Sequence, residues 1–446
     1  MPSIWESLSS CWKPLKRYTR VSRDESSRSI RREDDELLWY RDLEKHHFGD
    51  YSFAVVQANN MIEDYSQVDA GPEATFVGVY DGHGGAEAAN FICNNLLKNL
   101  CRIAKDEGRI SEKVLENALL ETEEGFMSLV RGAFESNPVI AANGSCCLVG
   151  VIWKGTLLVA NLGDSGAVVG VLNKKTKEMF ADQLTYEHNA SSPQVREELK
   201  SLHPDDPKIV IFKNGAWRVK GVIQITRSIG DAYLKRQEFA LGPEHPRFHL
   251  GEALTRPILR SDPTVFKRQL TPDDKFVIFA SDGLWEHLTG QRAAEIVHAS
   301  PRPGIARRLI RIALSEAAAK AGGLRYDQIK ALGRGRRRAY HDDITVVVIF
   351  VDHHDGGGSR VVPGLQIKGS SVRAEPSELA GISLPGGPST SYGGPSSKSY
   401  GGPSTPYGGE SDEPPLLKAT VDFGLGAQSE AAAAADPKGK AKVEEA

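Results

Sequence analysis

Three apolar runs of this chain each close on an aspartate, and a fourth opens on a pair of them. "TFVGVYDGHGG" closes at Asp81, "LLVANLGDSG" at Asp164 and "KFVIFASDGLWE" at Asp282, while "HDDITVVVIFV" opens on Asp342 and Asp343. Such runs read as β-strands. In an antiparallel sheet, the ends of strands running one way share a rim with the starts of strands running the other way. Carboxylates gathered on one rim repel one another and cannot all ionise unless positive charge lies among them. A cluster of hard divalent cations is the simplest way to supply it.

The sharpest of these motifs is "GVYDGHGG". Glycine after Asp81 lets the backbone turn tightly, so Gly82 can present a carbonyl or a water to the ion that Asp81 holds. His83 then stands next to whatever the ion carries, and the glycines after it suit a helix start, which favours anions such as phosphate. A lone Asp-Gly is more often a plain turn, but "SDG" at 281–283 and "HDD" at 341–343 repeat the pattern at other strand edges. "MIEDYSQVD" adds Glu63 and Asp64. Oxygen ligands without a Cys/His cluster select Mg2+ or Mn2+ over zinc. Two such ions, about 3.5–4 Å apart, can lower the pKa of a water between them and stabilise an in-line displacement on phosphorus. That chemistry suits phosphomonoester hydrolysis.

The elements that must position these residues lie in one dense region, 37–353. Strand signals run over 52–58, 75–80, 145–153, 156–162, 167–172, 275–280 and 344–351, and "WKGT" at 153–156 reads as a hairpin turn. Helical periodicity covers 86–100, 111–130, 289–298 and 303–321, with Val114, Leu115, Ala118, Leu119, Phe126 and Leu129 on one face of the second. Long strands mixed with helix pairs, without strict βαβ alternation, predict an α+β fold: a central antiparallel β-sandwich flanked by helix pairs, with the metal site at one end. Before it, 1–36 is a basic, serine-rich arm closing on Glu33-Asp34-Asp35-Glu36. Its expected state is a mobile tail. The spacing of Trp5, Leu8, Cys11 and Trp12 ahead of the basic run also allows peripheral contact with an anionic membrane face. After it, 354–446 is rich in Gly, Pro and Ser, repeats "GGPSTSY", "GGPSSKSY" and "GGPSTPY", and is expected to be disordered.

Net charge is −3 over 446 residues, which gives no whole-protein reason to expect nucleic acid as a partner. Five cysteines without C-x-x-C spacing indicate a reducing compartment, with neither a disulfide framework nor a zinc site. No apolar stretch reaches 18 residues, the N-terminus lacks a signal-peptide core, and Pro2 rules out myristoylation. The expected location is therefore intracellular: cytoplasm, nucleus or the inner face of the plasma membrane.

The ordered set "EDYSQV", "VYDGHGG", "NLGDSGAVV", "ITRSIGDAYLK", "FVIFASDGLWE" and "HDDITVVV" closely resembles the metal-dependent Ser/Thr protein phosphatases of type 2C (the PPM family) across roughly 50–352. "GSCCLVGVIWKGTLL" and "RRRAYHDDITVVVIFVD" look like one plant subgroup, the plasma-membrane proton-pump phosphatases. The resemblance implies hydrolysis of phosphoserine and phosphothreonine on proteins with two Mg2+ or Mn2+ ions per chain. Carried over, it implies that Asp81 bridges the ions, that the Gly82 carbonyl and Glu63 complete one shell, and that Asp282 and Asp342 hold the other ion. Asp64 would orient a water, His83 would be the general acid, and Asp164 would join Asp282 at a weaker third metal. Spacing leaves Asp342 and Asp343 open as ligands; family position favours Asp342.

Two positions depart from the family. Asn59 stands where an arginine often grips the phosphate, and Gly166 stands where an arginine is usual. Both predict weaker phosphate binding rather than lost metal, and they are the support for the alternative function, a phosphoprotein-binding pseudophosphatase or scaffold. The segment 186–220 matches the family's flap, which shapes substrate choice. "RGRRR" at 334–338 reads as a solvated surface, a docking strip for acidic proteins or lipids. The expected partners are phosphorylated proteins, with small inhibitory regulatory proteins for the subgroup and no nucleic acid; the chain is expected to be a monomer.

Overall fold

The computed structural model describes residues 35–353, 362, 364–369 and 374–381. The chain opens with β1 (Leu38–His46), β2 (Gly49–Val56), β3 (Asp64–Ala70) and β4 (Ala74–His83), then α1 (Glu87–Glu107) and α2 (Glu112–Ala133). Next come β5 (Gly144–Ser145), β6 (Cys147–Trp153), β7 (Thr156–Leu162), β8 (Gly166–Leu172) and β9 (Met179–Gln183). The flap segment holds α3 (Pro193–Leu202) and the hairpin β10 (Val210–Lys213) and β11 (Ala216–Val219). After β12 (Ile229–Gly230) follow β13 (Thr264–Gln269), β14 (Asp274–Ala280), α4 (Asp282–Trp285), α5 (Gly290–His298), α6 (Ile305–Lys320) and α7 (Tyr326–Lys330). The described chain closes with β15 (Ile344–Phe350), β16 (Leu365–Lys368) and β17 (Ala374–Pro376).

Two antiparallel sheets stack face to face, in the orders β1-β2-β15-β14-β8-β9 and β13-β7-β6-β4-β3-β16-β17. The period of the strands decides what each face meets. Phe53, Val55, Val347 and Ile349 point between the sheets, against Val77, Val79, Leu148 and Val159. Their neighbours Ala54, Val56, Val346 and Val348 point out onto Leu309, Ile310 and Ala313 of α6. On the far side Phe76, Tyr80, Val149 and Val151 meet Ile92 and Leu96 of α1 and Leu115 and Phe126 of α2. Both faces of the central strands are buried, which is why they read as unbroken apolar runs. Each such side chain contributes about 1.5–3 kcal/mol of burial. The expected α+β sandwich with flanking helix pairs is what forms.

Local signals set the ends of the elements. Lys154 and Gly155 both take positive φ (49° and 71°), the geometry of a two-residue hairpin turn between β6 and β7. Ser111 caps α2 by accepting from the Val114 N–H. Leu129, expected on the buried side of α2, is 40% exposed; Val130, one full turn from Phe126, takes the core position. The strand expected over 52–58 ends at Val56, because the Ala58 N–H turns away to the Asp343 carboxylate.

The expected boundaries of the folded region are both too narrow. Asp35 is buried and accepts a bidentate pair from Arg337, so it belongs to the fold and not to an arm. Past 353, β16 pairs with β3 and buries Ile367. Ser377 Oγ and the Glu378 N–H cap the buried Asp69, whose carboxyl burial pushes up to about 6. The rest of 1–34 and of the tail lies outside the described residues. The run 334–338 is corrected as well: Arg337 is a core residue, held also by the carbonyls of Lys330 and Leu332. No helix of the described residues is long and apolar enough to cross a membrane.

Candidate metal centre

One end of the sandwich collects the acids. β4 carries Asp81 near its C-terminus, β7 runs out towards Asp164, and β14 runs out to Asp282 at the start of α4. β3 starts at Asp64 and β15 just after Asp343. Asp64 and Asp81 are cross-strand partners in the β3–β4 ladder. Carboxylate oxygens of Asp81, Asp164 and Asp282 all lie within 4.8 Å of one another. Burial, then the charges of Asp282, Asp64, Asp342 and Asp164, hold the Asp81 carboxyl well above the usual carboxylate range. Burial, Asp164, Glu286 and Asp342 do the same to Asp282. Asp282 Oδ1 is buried and meets no hydrogen-bond donor. An all-oxygen cluster with a donorless buried oxygen fits hard divalent cations, which would supply the missing positive charge.

Glu63 sits to one side of this trio. Its carboxylate accepts from the Gly85 N–H, and burial with Asp343 and Asp342 raises its pKa. Gly82 lies against it: a Cβ there would come within 2.6 Å of the Glu63 carbonyl, so only glycine allows the approach. The two candidates in the "HDD" motif separate cleanly. Asp343 is buried and accepts from the N–H groups of Ala58 (2.6 Å), Asn59 (3.1 Å) and Glu63 (2.8 Å), so it staples the 58–63 loop. Asp342 is half-buried and lies between Asn59 Nδ2 (3.2 Å, on Oδ1) and Arg338 Nη2 (2.6 Å, on Oδ2). Asp342 is the member of the pair whose charge raises both Asp81 and Asp282. Asp64 is buried and takes Ser281 Oγ (2.9 Å) and Thr345 Oγ1 (2.7 Å) on Oδ2, tying the two sheets together at the rim.

His83 Nε2 donates to Asp231 Oδ2 at 2.9 Å, and Ser228 Oγ donates to the same oxygen at 2.6 Å. Burial lowers the pKa of His83, but Asp231 outweighs it and the net direction is up. Gly144 makes room for this pair, since a Cβ there would overlap both Asp231 Oδ2 and His83 Nε2. Asp231 belongs to "ITRSIGDAYLK" but has only the two-residue β12 before it, so no strand run flagged it. Asp164 is held by Asn189 Nδ2 (2.7 Å) and Cys146 Sγ (3.2 Å). His188 Nδ1 accepts the Gly163 N–H (3.3 Å), so the start of the flap segment steadies the turn that presents Asp164. Neither Asn189 nor His188 carried a sequence signal for this. At Gly166, a Cβ would press on Trp285 Nε1 at 3.0 Å: the indole takes the space beside that position.

Residues 46–322 match the protein phosphatase 2C family. Probable protein phosphatase 2C 43 of Oryza sativa subsp. japonica is 57% identical over 386 residues, covering 85% of this chain and 98% of that protein. Probable protein phosphatase 2C 68 of Arabidopsis thaliana is 54% identical over 379 residues, covering 83% and 96% respectively. The chain belongs to the protein phosphatase 2C family, with plant relatives at high identity, and is a protein-serine/threonine phosphatase.

Proposed function

We propose that this phosphatase hydrolyses phosphoserine and phosphothreonine with two Mg2+ or Mn2+ ions held by Glu63, Asp81, the Gly82 carbonyl, Asp282 and Asp342, and that Asp164 joins Asp282 at a weaker third position. The observation that carries the reading is the convergence of Asp81, Asp164 and Asp282 oxygens within 4.8 Å, beside a buried Asp282 oxygen without a donor. When bound, the cations would neutralise these acids, polarise the phosphoryl group and activate the attacking water. The chain's own residues do the rest. Asp64, with Oδ2 fixed by Ser281 and Thr345, orients the attacking water. His83 keeps Nε2 on Asp231, so the proton that reaches the leaving serine or threonine oxygen comes from Nδ1.

Phosphate release from a phosphothreonine peptide in Mn2+ tests the reading. Wild type should turn over, and Asp81→Asn at saturating Mn2+ should not; full activity in that variant rules the mechanism out. A scaffold that only captures phosphoproteins would release no phosphate in either protein. The subgroup resemblance of "GSCCLVGVIWKGTLL" and "RRRAYHDDITVVVIFVD" is the ground for a finer assignment: an intracellular enzyme acting on the plasma-membrane proton pump under small inhibitory regulators. Substrate capture from plant extract with Asp81→Asn would recover the pump; its absence from the captured set counts against that assignment.

A further inference from the structure

We propose that Arg338 is the residue that grips the substrate phosphate at the rim of the acid cluster. The proposal rests on the phosphatase reading above and names the group that binds its substrate. A phosphomonoester dianion approaching Glu63, Asp81, Asp164, Asp282 and Asp342 meets carboxylates on every side. Its outer oxygens need charged donors beyond the cations themselves. Among the described residues, the ion pairs bring one guanidinium onto this cluster, that of Arg338, with Nη2 at 2.6 Å from Asp342 Oδ2. Its side chain is 54% exposed, so the pair leaves most of the fork's donors for a second anion.

The surroundings aim the side chain. Arg337, one residue earlier, is locked into the core by Asp35 and the carbonyls of Lys330 and Leu332, which fixes the 3-10 turn Arg336–Ala339. Arg338 therefore leaves the fold from an anchored backbone. On the other oxygen of Asp342 sits the neutral amide of Asn59, which supplies no charge. Glu286 also feels the charge of Arg338, so a second acid besides Asp342 favours holding a cation there. A metal ion held by Asp342 would leave the guanidinium to the incoming phosphate.

The test uses the full chain saturated with Mn2+ and a phosphothreonine peptide. Arg338→Ala should raise KM about tenfold or more, with kcat changed far less, as loss of a charge-assisted contact made in both ground and transition states requires. Inorganic phosphate should inhibit it more weakly by a similar factor, and calorimetry of phosphate onto the Mn2+-loaded protein should show the same loss. Arg338→Lys should fall between. Adding Asn59→Arg to Arg338→Ala should recover part of the KM, because position 59 touches the same carboxylate from the opposite side. Unchanged KM and phosphate affinity in Arg338→Ala would overturn the proposal. So would an effect confined to Mn2+ affinity, which would make Arg338 a mere partner of Asp342. A wild-type protein that releases no phosphate sinks the phosphatase reading instead, and the calorimetry still decides whether Arg338 binds phosphate.

Discussion

Asp342 and Asp343 are adjacent and spacing alone does not choose between them, yet their removal should have opposite consequences. Asp343→Ala strips the acceptor from three backbone N–H groups, those of Ala58, Asn59 and Glu63. Charge-assisted hydrogen bonds are worth about 1.5–3 kcal/mol each. Asn59 and Glu63 are partly exposed and can regain water, so the loss is smaller than three full bonds. Relief of repulsion on Asp64 and Glu63, whose carboxyls Asp343 pushes up, offsets a further part. The net cost is roughly 2–4 kcal/mol, a drop in Tm of about 3–6 °C for a domain of this size. Asp342→Ala removes a pair with a half-exposed arginine, worth about 0–1 kcal/mol. It also removes a charge that raises the pKa of Asp81, Asp282 and Glu63. Its metal-free Tm should hold or rise while its Mn2+ affinity falls. Melting both variants in a chelator and titrating both with Mn2+ by calorimetry separates the roles. If Asp342→Ala melts below Asp343→Ala, or Asp343→Ala keeps its Tm and loses the metal, the division of labour is wrong.

Three other outcomes follow from buried groups. His188 is held neutral, its pKa lowered to about 3 by burial and by Arg227. The unfolded chain, near 6.5, binds the proton first, so this group's contribution is intact above about 6.5 and shrinks as pH falls, by up to about 1.4 kcal/mol per unit. The His188→Gln variant should therefore lose stability less steeply than wild type between pH 7 and 5 in urea titrations; parallel slopes would contradict this. Asp231→Asn should cut kcat about tenfold or more, since general acid catalysis contributes about 100-fold or more. With His83 no longer raised by a carboxylate, the alkaline limb of the pH–rate profile should move to lower pH; a limb that stays in place removes Asp231 from the mechanism. A chain stopped after Asp352 should unfold earlier than one stopped after Gly387. It loses the buried Ile367 and leaves Asp69 without Ser377 and Glu378, and equal melting of the two would mean that β16 adds nothing.

The sandwich was legible because its central strands are apolar on both faces. The same property hid which sheet each strand joins: Val346 and Val347 look alike in sequence, yet one meets α6 and the other the opposite sheet. β16 escaped notice for the converse reason. It is four residues with one strongly buried apolar side chain, and its place depends on the free edge of β3 and on Asp69, which lie far back in the chain. Arg337 misled because a run of arginines reads as solvated surface by composition. Its burial depends on a single distant partner, Asp35, that itself looked like part of an acidic tail.

The site divides along the same line. The clustered acids stand where strands stop, and a strand end beside glycine is a local pattern that one sequence displays. The groups that hold those acids need only a donor that reaches, and any element passing nearby can supply it. Asn189 comes from the flap segment and Ser281 and Thr345 from the opposite sheet, while Asp231, which holds His83, comes from a loop after β12. Such support is cheap to place and leaves no periodicity behind. Yet it separates two neighbouring carboxylates, since Asp343 is occupied by three backbone N–H groups and by nothing in its own residue type. The chemistry of a carboxylate cluster is thus written in its acids, and the choice among those acids in the donors they have already met.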